Sequence, residues 1–340
     1  MPTLSNLATD ERTARQVLSL IGTPNDAATG ALLERVGGVE LIALIERDTA
    51  IPGMDRVEAA VWRDRLQSRA NPDQVASRLL AENDYRVLVP EDSEWPAALN
   101  DLRERAPYAL WAAGHAELLI AQPSHLITIT GARAATAYGV HVAEDISSEL
   151  ARNGKTLVAG AAYGIESSVH RSALIESGNT IAVLASGVDR PYPAGHADLI
   201  VSVSRQGLVL SELPPGVSPT RQRFLDRSRI LAALSGATIV VEAGFRSGTL
   251  HTAREAVLLG RIVGAVPGPV TSAASAGTNH LLQDGSAHVV TNASDVTRML
   301  DTANTPKRSV IHLGASRAVA AISSLGSPRR DSFAVHPGQP

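Results

Sequence analysis

The chain has 340 residues, of which 44% are hydrophobic and 19% are charged, so it is long enough to bury a full α/β core beside a smaller domain. It contains no cysteine, which excludes disulfides, thiolate metal sites and thiol catalysis. Because it also has no long apolar run and no export signal, we expect a cytoplasmic protein without membrane association. The formal net charge of −3 argues against a uniformly positive surface.

The first part of the chain, residues 1–80, is expected to form a small helical domain. Apolar residues recur there at helical spacing, and Gly37-Gly38 interrupts the pattern. Residues 34–39 fit either the turn of a helix-hairpin-helix, which holds DNA through backbone amides, or a plain turn between two helices. We favour the plain turn.

Two short strands are predicted next, at residues 85–90 and 108–114, and both should extend the main sheet. A short helix opens between them at residues 94–99. Trp95 and Trp111 are interpreted as core residues, because tryptophan is usually well buried.

Five short apolar runs then end, one after another, at a glycine or a small polar cluster. They occupy residues 126–130, 156–159, 180–185, 237–242 and 261–266. Each run is typical of a buried parallel strand, and segments with helical periodicity separate them. This alternation predicts a doubly wound, mostly parallel sheet with right-handed crossovers.

The carboxyl ends of these strands are the expected ligand edge. Ligands of open doubly wound sheets lie outside that edge, where loop amides and helix N-termini gather. Residues 217–261 hold seven arginines against three carboxylates, although the whole chain is negative. Because arginine binds phosphate through a planar fork, we expect a ligand with several adjacent phosphates.

Three loops carry this expectation. Arg133 could bind a phosphate or pair with a surface carboxylate, and we favour the phosphate. Residues 247–249, beside Arg246, would bind an anion at a helix N-terminus, although a Ser/Thr cap without a ligand gives the same sequence. Residues 160–164 match half of a dinucleotide fingerprint but lack its full glycine spacing and its acidic residue, so no dinucleotide cofactor is expected.

The segment Phe224, Arg227 and Arg229 places one aromatic ring among arginines. This pattern is typical of proteins that bind single strands by stacking and charge, although a helix with a solvated basic face looks the same. The ten histidines form no local ligand motif, so we predict no metal site.

These motifs, in this order, resemble the DNA processing protein A family, also called DprA or Smf, from about residue 95 to residue 300. The matching segments are Gly131-Ala132-Arg133, Gly160 through Glu166, Tyr192-Pro193, Pro214-Pro215-Gly216, Phe224-x-x-Arg227-x-Arg229, Ser247-Gly248-Thr249 and Gly277-Thr278-Asn279. The resemblance implies an extended Rossmann-like fold over residues 81–301 and a non-enzymatic role without a cofactor. It also implies binding of single-stranded DNA, loading of a RecA-type recombinase, and a homodimer.

Family contacts carry over to matching positions, and we add Arg246 because of its place beside the third loop. The expected DNA-binding residues are Arg133, Gly160, Gly164, Arg227, Arg229, Arg246, Ser247, Gly248, Thr249 and Asn279. Three departures are notable: Ala132 and Ala159 stand where the family has serine, and Tyr163 stands where it has arginine. Because these changes remove hydrogen bonds and one cation, weaker DNA affinity or an altered ligand is expected.

Two alternatives stay open on the same scaffold. One is a sensor that binds a free nucleotide. The other is an enzyme similar to the phosphoribohydrolases, which is disfavoured because Thr252 stands where those enzymes carry a glutamate. Residues 302–340 are rich in proline and glycine, with one marginal helix at residues 316–325. We expect a mostly disordered tail without a convincing winged helix.

Overall fold

A computed structural model describes residues 3–81 and 85–304, which contain twelve α-helices and nine β-strands. The strands are β1 (Arg86–Leu88), β2 (Leu110–Gly114), β3 (Leu126–Thr130), β4 (Thr156–Ala159), β5 (Thr180–Val183), β6 (Leu208–Ser211), β7 (Ala237–Val240), β8 (Ile262–Ala265) and β9 (His288–Val289). The helices are α1 (Leu4–Leu7), α2 (Glu11–Ile21), α3 (Ala27–Glu46), α4 (Arg56–Gln67), α5 (Pro72–Leu80), α6 (Ala137–Arg152), α7 (Ile165–Ile175), α8 (Ala197–Gln206), α9 (Arg221–Leu234), α10 (Thr249–Leu258), α11 (Ala276–Gln283) and α12 (Ala293–Asn304). The tail was expected at residues 302–340; α12 extends to Asn304, and the rest of the tail, with its marginal helix, lies outside the described residues.

All nine strands form one sheet in the order β1-β2-β6-β5-β4-β3-β7-β8-β9. The pairs β1–β2 and β2–β6 are antiparallel, and every other pair is parallel. The predicted doubly wound, mostly parallel sheet is therefore confirmed. The short strand β6 was not among the five predicted runs, because it has only three apolar residues before Ser211 and Glu212.

The chain changes direction across the sheet at β3 and β7. From β3 it moves outward through β4 and β5 to β6, and α9 then returns it to β7 on the other side of β3. When two right-handed crossovers move the chain in opposite directions across a sheet, their helices lie on opposite faces of that sheet. Accordingly, α6, α7 and α12 share one apolar cluster, while α10 and α11 share another with α9. The crevice between β3 and β7 is thus the topological switch point.

The strands that carry this edge are rigid because they are buried on both faces. Every residue of β3, β4, β5 and β7 is buried. Trp95 and Trp111 are 7% and 4% exposed, which confirms both as core residues.

The helices α1 to α5 pack around their own apolar cluster. Gly37 has a φ of +77° and divides α3 into two helical parts at the predicted interruption. The amide of Gly38 donates to Oε2 of Glu11 at 2.6 Å, at the point where a helix-hairpin-helix would offer its amide to a phosphate. A carboxylate of the chain already fills that place, which favours the plain turn.

The helical region contacts the sheet region through the side of α9. Nδ2 of Asn25 donates to Oδ1 of Asp226 at 3.1 Å, and Nε of Arg105 donates to Oδ1 of Asn25 at 3.0 Å. These contacts hold the first half of α9 against the helical region. Within the described ranges, no helix has the length and apolar character that crossing a membrane requires.

Candidate functional site

A cavity of about 520 Å³ opens at the switch point, at the carboxyl ends of β3 and β7. Its walls are the loop after β3, the first turns of α9 and the start of α10. Of the predicted site residues, the cavity brings together Arg133, Arg227, Ser247, Gly248 and Thr249. Ligands of open α/β sheets bind at this position, so the sheet topology and the cavity indicate the same site.

Arg227 and Glu166 form an ion pair on the floor of the cavity. Nη2 of Arg227 lies 3.4 Å from Oε1 of Glu166, and Nη1 donates to the carbonyl of Val183 at 3.2 Å. Nε of Arg227 is buried and has no hydrogen-bond partner among the described residues. A buried donor without a partner is costly. Because Arg227 lines the cavity, its positive charge acts on an anion bound there.

Glu166 is held in its charged form by its surroundings. Its oxygens accept from Oγ1 of Thr130 at 2.9 Å and from the amide of Ala162 at 3.1 Å. Burial acts to raise the pKa of this carboxyl, but the charge of Arg227 and these hydrogen bonds outweigh it and lower the pKa below the ordinary value. Glu166 therefore stays negatively charged and holds the guanidinium of Arg227 in place.

Gly160 makes room for this ion pair. A Cβ at position 160 would lie 2.2 Å from Nη1 of Arg227 and 2.4 Å from Oε2 of Glu166. Any side chain there would displace one partner. Gly160 was predicted as a DNA contact, but it is buried and does not line the cavity.

Arg133 lies at the mouth of the cavity. Its side chain is exposed, and its guanidinium carbon lies 4.5 Å from the centroid of the Phe224 ring. That of Arg227 lies 5.3 Å from the same centroid. One aromatic ring therefore lies within cation–π distance of two guanidinium groups. The arrangement suits a nucleotide, since the ring can stack on a base while the arginines bind phosphates.

The start of α10 forms the opposite wall. Oγ1 of Thr249 donates to the carbonyl of Gly131 at 3.0 Å, which ties this helix start to the loop after β3. Gly248 is exposed, and a Cβ there would meet open space. The amides of Thr249 and Leu250 bond Ser247, and the amide of His251 bonds the carbonyl of Gly248, so the first turn is already paired. The positive end of the helix dipole is what this wall offers an anion.

Besides Gly160 and Arg229, three predicted contacts lie outside the cavity lining. Gly164 caps α7 with a φ of +75°, and a Cβ there would lie 2.3 Å from the carbonyl oxygen of Ala132. Both polar atoms of the Asn279 amide bond the backbone of Gly268, at 3.2 and 3.0 Å. Arg246 is exposed next to Ser247. Gly164 and Asn279 therefore shape loops, whereas Arg246 stays a predicted contact beside the cavity.

The structure places Arg229 away from the ligand edge. Its guanidinium is fully buried and forms a two-point ion pair with Glu212, at 2.8 and 2.6 Å. Its Nε donates to the carbonyl of Arg105 at 2.7 Å. Burial acts to lower the pKa of Arg229, but Glu212 raises it above the ordinary value. Because a phosphate could reach this group only by breaking that pair, we remove Arg229 from the DNA-binding residues.

The prediction omitted two residues of the cavity. In the sequence, Glu166 stands only as the last residue of a segment that resembles the family, and Phe224 is named among the arginines but is not an expected contact. The cation–π signal in the Phe224-x-x-Arg227 spacing could have identified the ring, since residues three apart share a helix face. Nothing in the sequence pairs Glu166 with Arg227.

The cavity offers little for catalysis or for metal binding. Among the residues that the structure describes, Glu166 is the one carboxylate that lines it, and Thr252 is buried at the position where hydrolases of the related scaffold carry an acid. Within residues 3–81 and 85–304, no three histidine, aspartate or glutamate side chains are grouped closely enough to hold a metal ion.

The chain matches the family model described as DNA recombination-mediator protein A over residues 86–301. A relative from Mycobacterium tuberculosis that carries the DprA name is 40% identical, covering 95% of this chain and 82% of the relative. DNA processing protein DprA of Streptococcus pneumoniae is 37% identical over 60% of this chain and 71% of the relative.

Two solved structures are also similar. DNA processing protein A from Streptococcus pneumoniae gives a TM-score of 0.69 at 27% identity, covering 87% of this chain and 98% of that chain. The protein from Helicobacter pylori, solved for its single-stranded DNA binding mode, gives a TM-score of 0.58 at 29% identity. It covers 64% of this chain and 96% of that one.

Proposed function

This chain belongs to the DNA recombination-mediator protein A family, and from that premise we propose that it binds single-stranded DNA in the cavity at the β3–β7 switch point. The observation that carries the proposal is the arrangement of Arg133, Phe224 and Arg227 around one opening. Phosphates would contact the two guanidinium groups and the start of α10, and a base would stack on Phe224.

The proposed binding requires an accessible backbone and bases, which favours a single strand over a duplex. The ring of Phe224 lies inside the cavity wall, so a base must leave its stack to reach it. Phosphate contacts carry no sequence information, and stacking accepts every base. We therefore propose binding with little sequence preference and with strong salt dependence.

The proposed role is not enzymatic. Within the described part of the chain, Glu166 is the only carboxylate in the cavity wall, and its lowered pKa leaves it without a proton to donate at neutral pH. Its oxygens accept hydrogen bonds from Thr130 and Ala162 and face Arg227, so it is poorly placed as a base. Thr252 has no titratable proton in this range. These features also argue against hydrolysis of a glycosidic bond.

A sensor for a free nucleotide is the second candidate. The cavity volume of about 520 Å³ could hold one nucleotide, which is the observation that favours it. The presence of exposed Arg133 and Arg246 around the opening favours a longer polyanion instead, because one nucleotide would not reach all these cations.

A titration with three ligands separates these candidates. We expect the protein to bind labelled oligothymidine more tightly than a duplex of the same length, and both more tightly than a mononucleotide. Raising the salt concentration should weaken oligothymidine binding steeply, with a slope in log–log form of about 0.7 per phosphate contact. A mononucleotide that binds as tightly as the oligonucleotide would support the sensor and contradict the first proposal.

We further propose that the protein acts in the cytoplasm as a homodimer and delivers the bound strand to a RecA-type recombinase. Family membership supports the recombinase partner, because the matching model describes a recombination mediator. Light scattering after size exclusion would test the dimer. Sedimentation of recombinase filaments with this protein, with and without oligothymidine, would test the partner.

A further inference from the structure

Aromatic side chains are concentrated at the ligand edge of the sheet. Phenylalanine, tyrosine and tryptophan make up only 3% of the chain. Every one of them that is more than about two-fifths exposed within residues 3–81 and 85–304 follows the carboxyl end of a parallel strand, at 44% to 50% exposure. These four are Tyr138 after β3, Tyr163 after β4, Tyr192 after β5 and Phe245 after β7.

This concentration is not explained by packing. The three tryptophans are between 3% and 7% exposed, which is how aromatic residues of a core behave. Half-exposed rings leave apolar area in water, and each would stabilise the fold more if it were buried. A ring kept exposed beside a binding site is typical of a contact surface.

Two of these four rings, Tyr192 and Tyr163, lie on the β4–β5 side of the cavity. The ring of Tyr192 lies 5.8 Å from the ring of Phe224 in an edge-to-face arrangement, so it continues the stacking surface directly. The ring of Tyr163 lies 4.4 Å from that of His196, on the turn that follows Tyr192. Each of the two tyrosine rings therefore contacts one neighbouring ring and is still about half exposed.

Two exposed arginines lie on the same side of the cavity as these rings. Arg133 lies over Phe224 at the cavity mouth, and Arg190 is exposed two residues before Tyr192. Among the described residues, Arg190 makes no side-chain hydrogen bond or ion pair. Alternating rings and free guanidinium groups form the surface that a flexible strand of bases and phosphates requires.

We propose that single-stranded DNA leaves the cavity over Tyr192 and Tyr163, which act as two stacking platforms outside the Arg133–Phe224–Arg227 site. This inference rests on the proposed function and adds the direction of the strand. It assigns a role to Tyr163, which stands where the family resemblance places arginine. Stacking of a base at Tyr163 then replaces a charge contact, so binding there depends on bases more than on phosphates.

The two rings span a limited length of DNA. Neighbouring strands of a sheet lie about 4.8 Å apart, so the edge from β3 to β5 extends about 10 Å. At the duplex rise of about 3.4 Å per nucleotide this corresponds to about three nucleotides, and to fewer when the strand is stretched. An oligonucleotide of about 15 nucleotides therefore covers the whole path.

The test uses two labelled strands of about 15 positions with equal phosphate number: oligothymidine, and a strand in which abasic sites replace the bases. The double variant Tyr163→Ala/Tyr192→Ala removes both rings, and Tyr163→Phe/Tyr192→Phe keeps them without the hydroxyls. Phe245→Ala is the matched control, because Phe245 has similar exposure on the same edge but lies beyond β7.

We expect the double alanine variant to bind oligothymidine about tenfold or more weakly, with abasic binding unchanged. The phenylalanine pair and Phe245→Ala should bind both strands as the unaltered protein does. Unchanged oligothymidine binding by the double alanine variant would overturn this inference and leave the proposed function standing. If Phe245→Ala loses as much affinity for oligothymidine as the double alanine variant, the proposed direction of the DNA strand is wrong. If the unaltered protein binds neither strand, the proposed function itself fails.

Discussion

The guanidinium group of Arg133 lies 4.5 Å from the centre of the Phe224 ring, although the two residues are 91 positions apart in the sequence. Arg133 belongs to the loop after β3, whereas Phe224 lies in the first turn of α9, the helix that returns the chain across the sheet. The crossover of α9 therefore assembles the site from two distant segments. A phosphate at Arg133 and a base at Phe224 would belong to neighbouring nucleotides.

The ring of Phe224 is expected to provide stacking energy. Replacing it by alanine should weaken oligothymidine binding by about 1–3 kcal/mol, because one base loses its aromatic partner. Binding of an abasic strand should change little. Fluorescence anisotropy with both strands measures the difference, and Phe224→Tyr, which keeps the ring, is the matched control. Equal losses for the two strands would show that the ring acts on the phosphates or on the fold instead.

Arg229 is expected to stabilise the fold and not to bind DNA. Replacing it by methionine should lower the free energy of unfolding by about 3–5 kcal/mol, because the Glu212 carboxylate stays buried without its partner. Denaturant unfolding measures this loss. The double variant Arg229→Met/Glu212→Leu should recover part of it, since no unpaired charge then remains. A stable single variant that loses DNA binding would contradict this assignment.

His170 is expected to make stability fall as the pH decreases from about 6.5 toward 4. Burial lowers the pKa of His170 to about 4, despite its hydrogen bond to the carbonyl of Gly160 and the charge of Glu166. Arg227 and His196 lower it further. In this window the unfolded chain binds a proton that the folded chain excludes, so folding loses up to about 3 kcal/mol.

Unfolding experiments at pH 7 and pH 4.7 test this prediction with the variant His170→Asn. The variant should lose less stability between the two pH values than the unaltered protein does, whatever its stability at pH 7. The comparison is needed because burial also lowers the pKa of His251. The lowered pKa of Glu166 acts below its ordinary value of 4.5, outside this interval. If the free energy of unfolding falls equally for the two proteins between pH 7 and pH 4.7, His170 is not the neutral, buried group proposed here.

The sequence predicted the sheet well because its strands are buried on both faces and end at small residues. The runs 126–130 and 156–159 coincide with β3 and β4. The strand β6 was missed because no glycine follows it: Ser211 is followed directly by Glu212 and Leu213. Its place between β2 and β5 depends on pairing distant in sequence, which local periodicity does not reveal.

The site could be predicted only in part. The sequence indicated the edge at which the cavity lies and five of the residues that line it, since loops after parallel strands meet at one edge. It assigned Arg227 and Arg229 the same role, although residues two apart point to opposite sides of a helix. That spacing was a usable signal. The roles of Gly160 and Asn279 depend on contacts with side chains and loops that only the folded chain brings together.

The central claim is that phosphates bind at the mouth of the β3–β7 cavity, and the most direct measurement is the salt dependence of oligothymidine binding by Arg133→Ala. Arg133 is exposed, so its removal should leave the fold intact. Arg152→Ala is the matched control, because Arg152 is an exposed arginine at the far end of α6. We predict that Arg133→Ala binds more weakly and that its log–log salt slope is smaller by about 0.7–1, with Arg152→Ala unchanged. An Arg133→Ala protein with the affinity and slope of the unaltered chain would contradict the account.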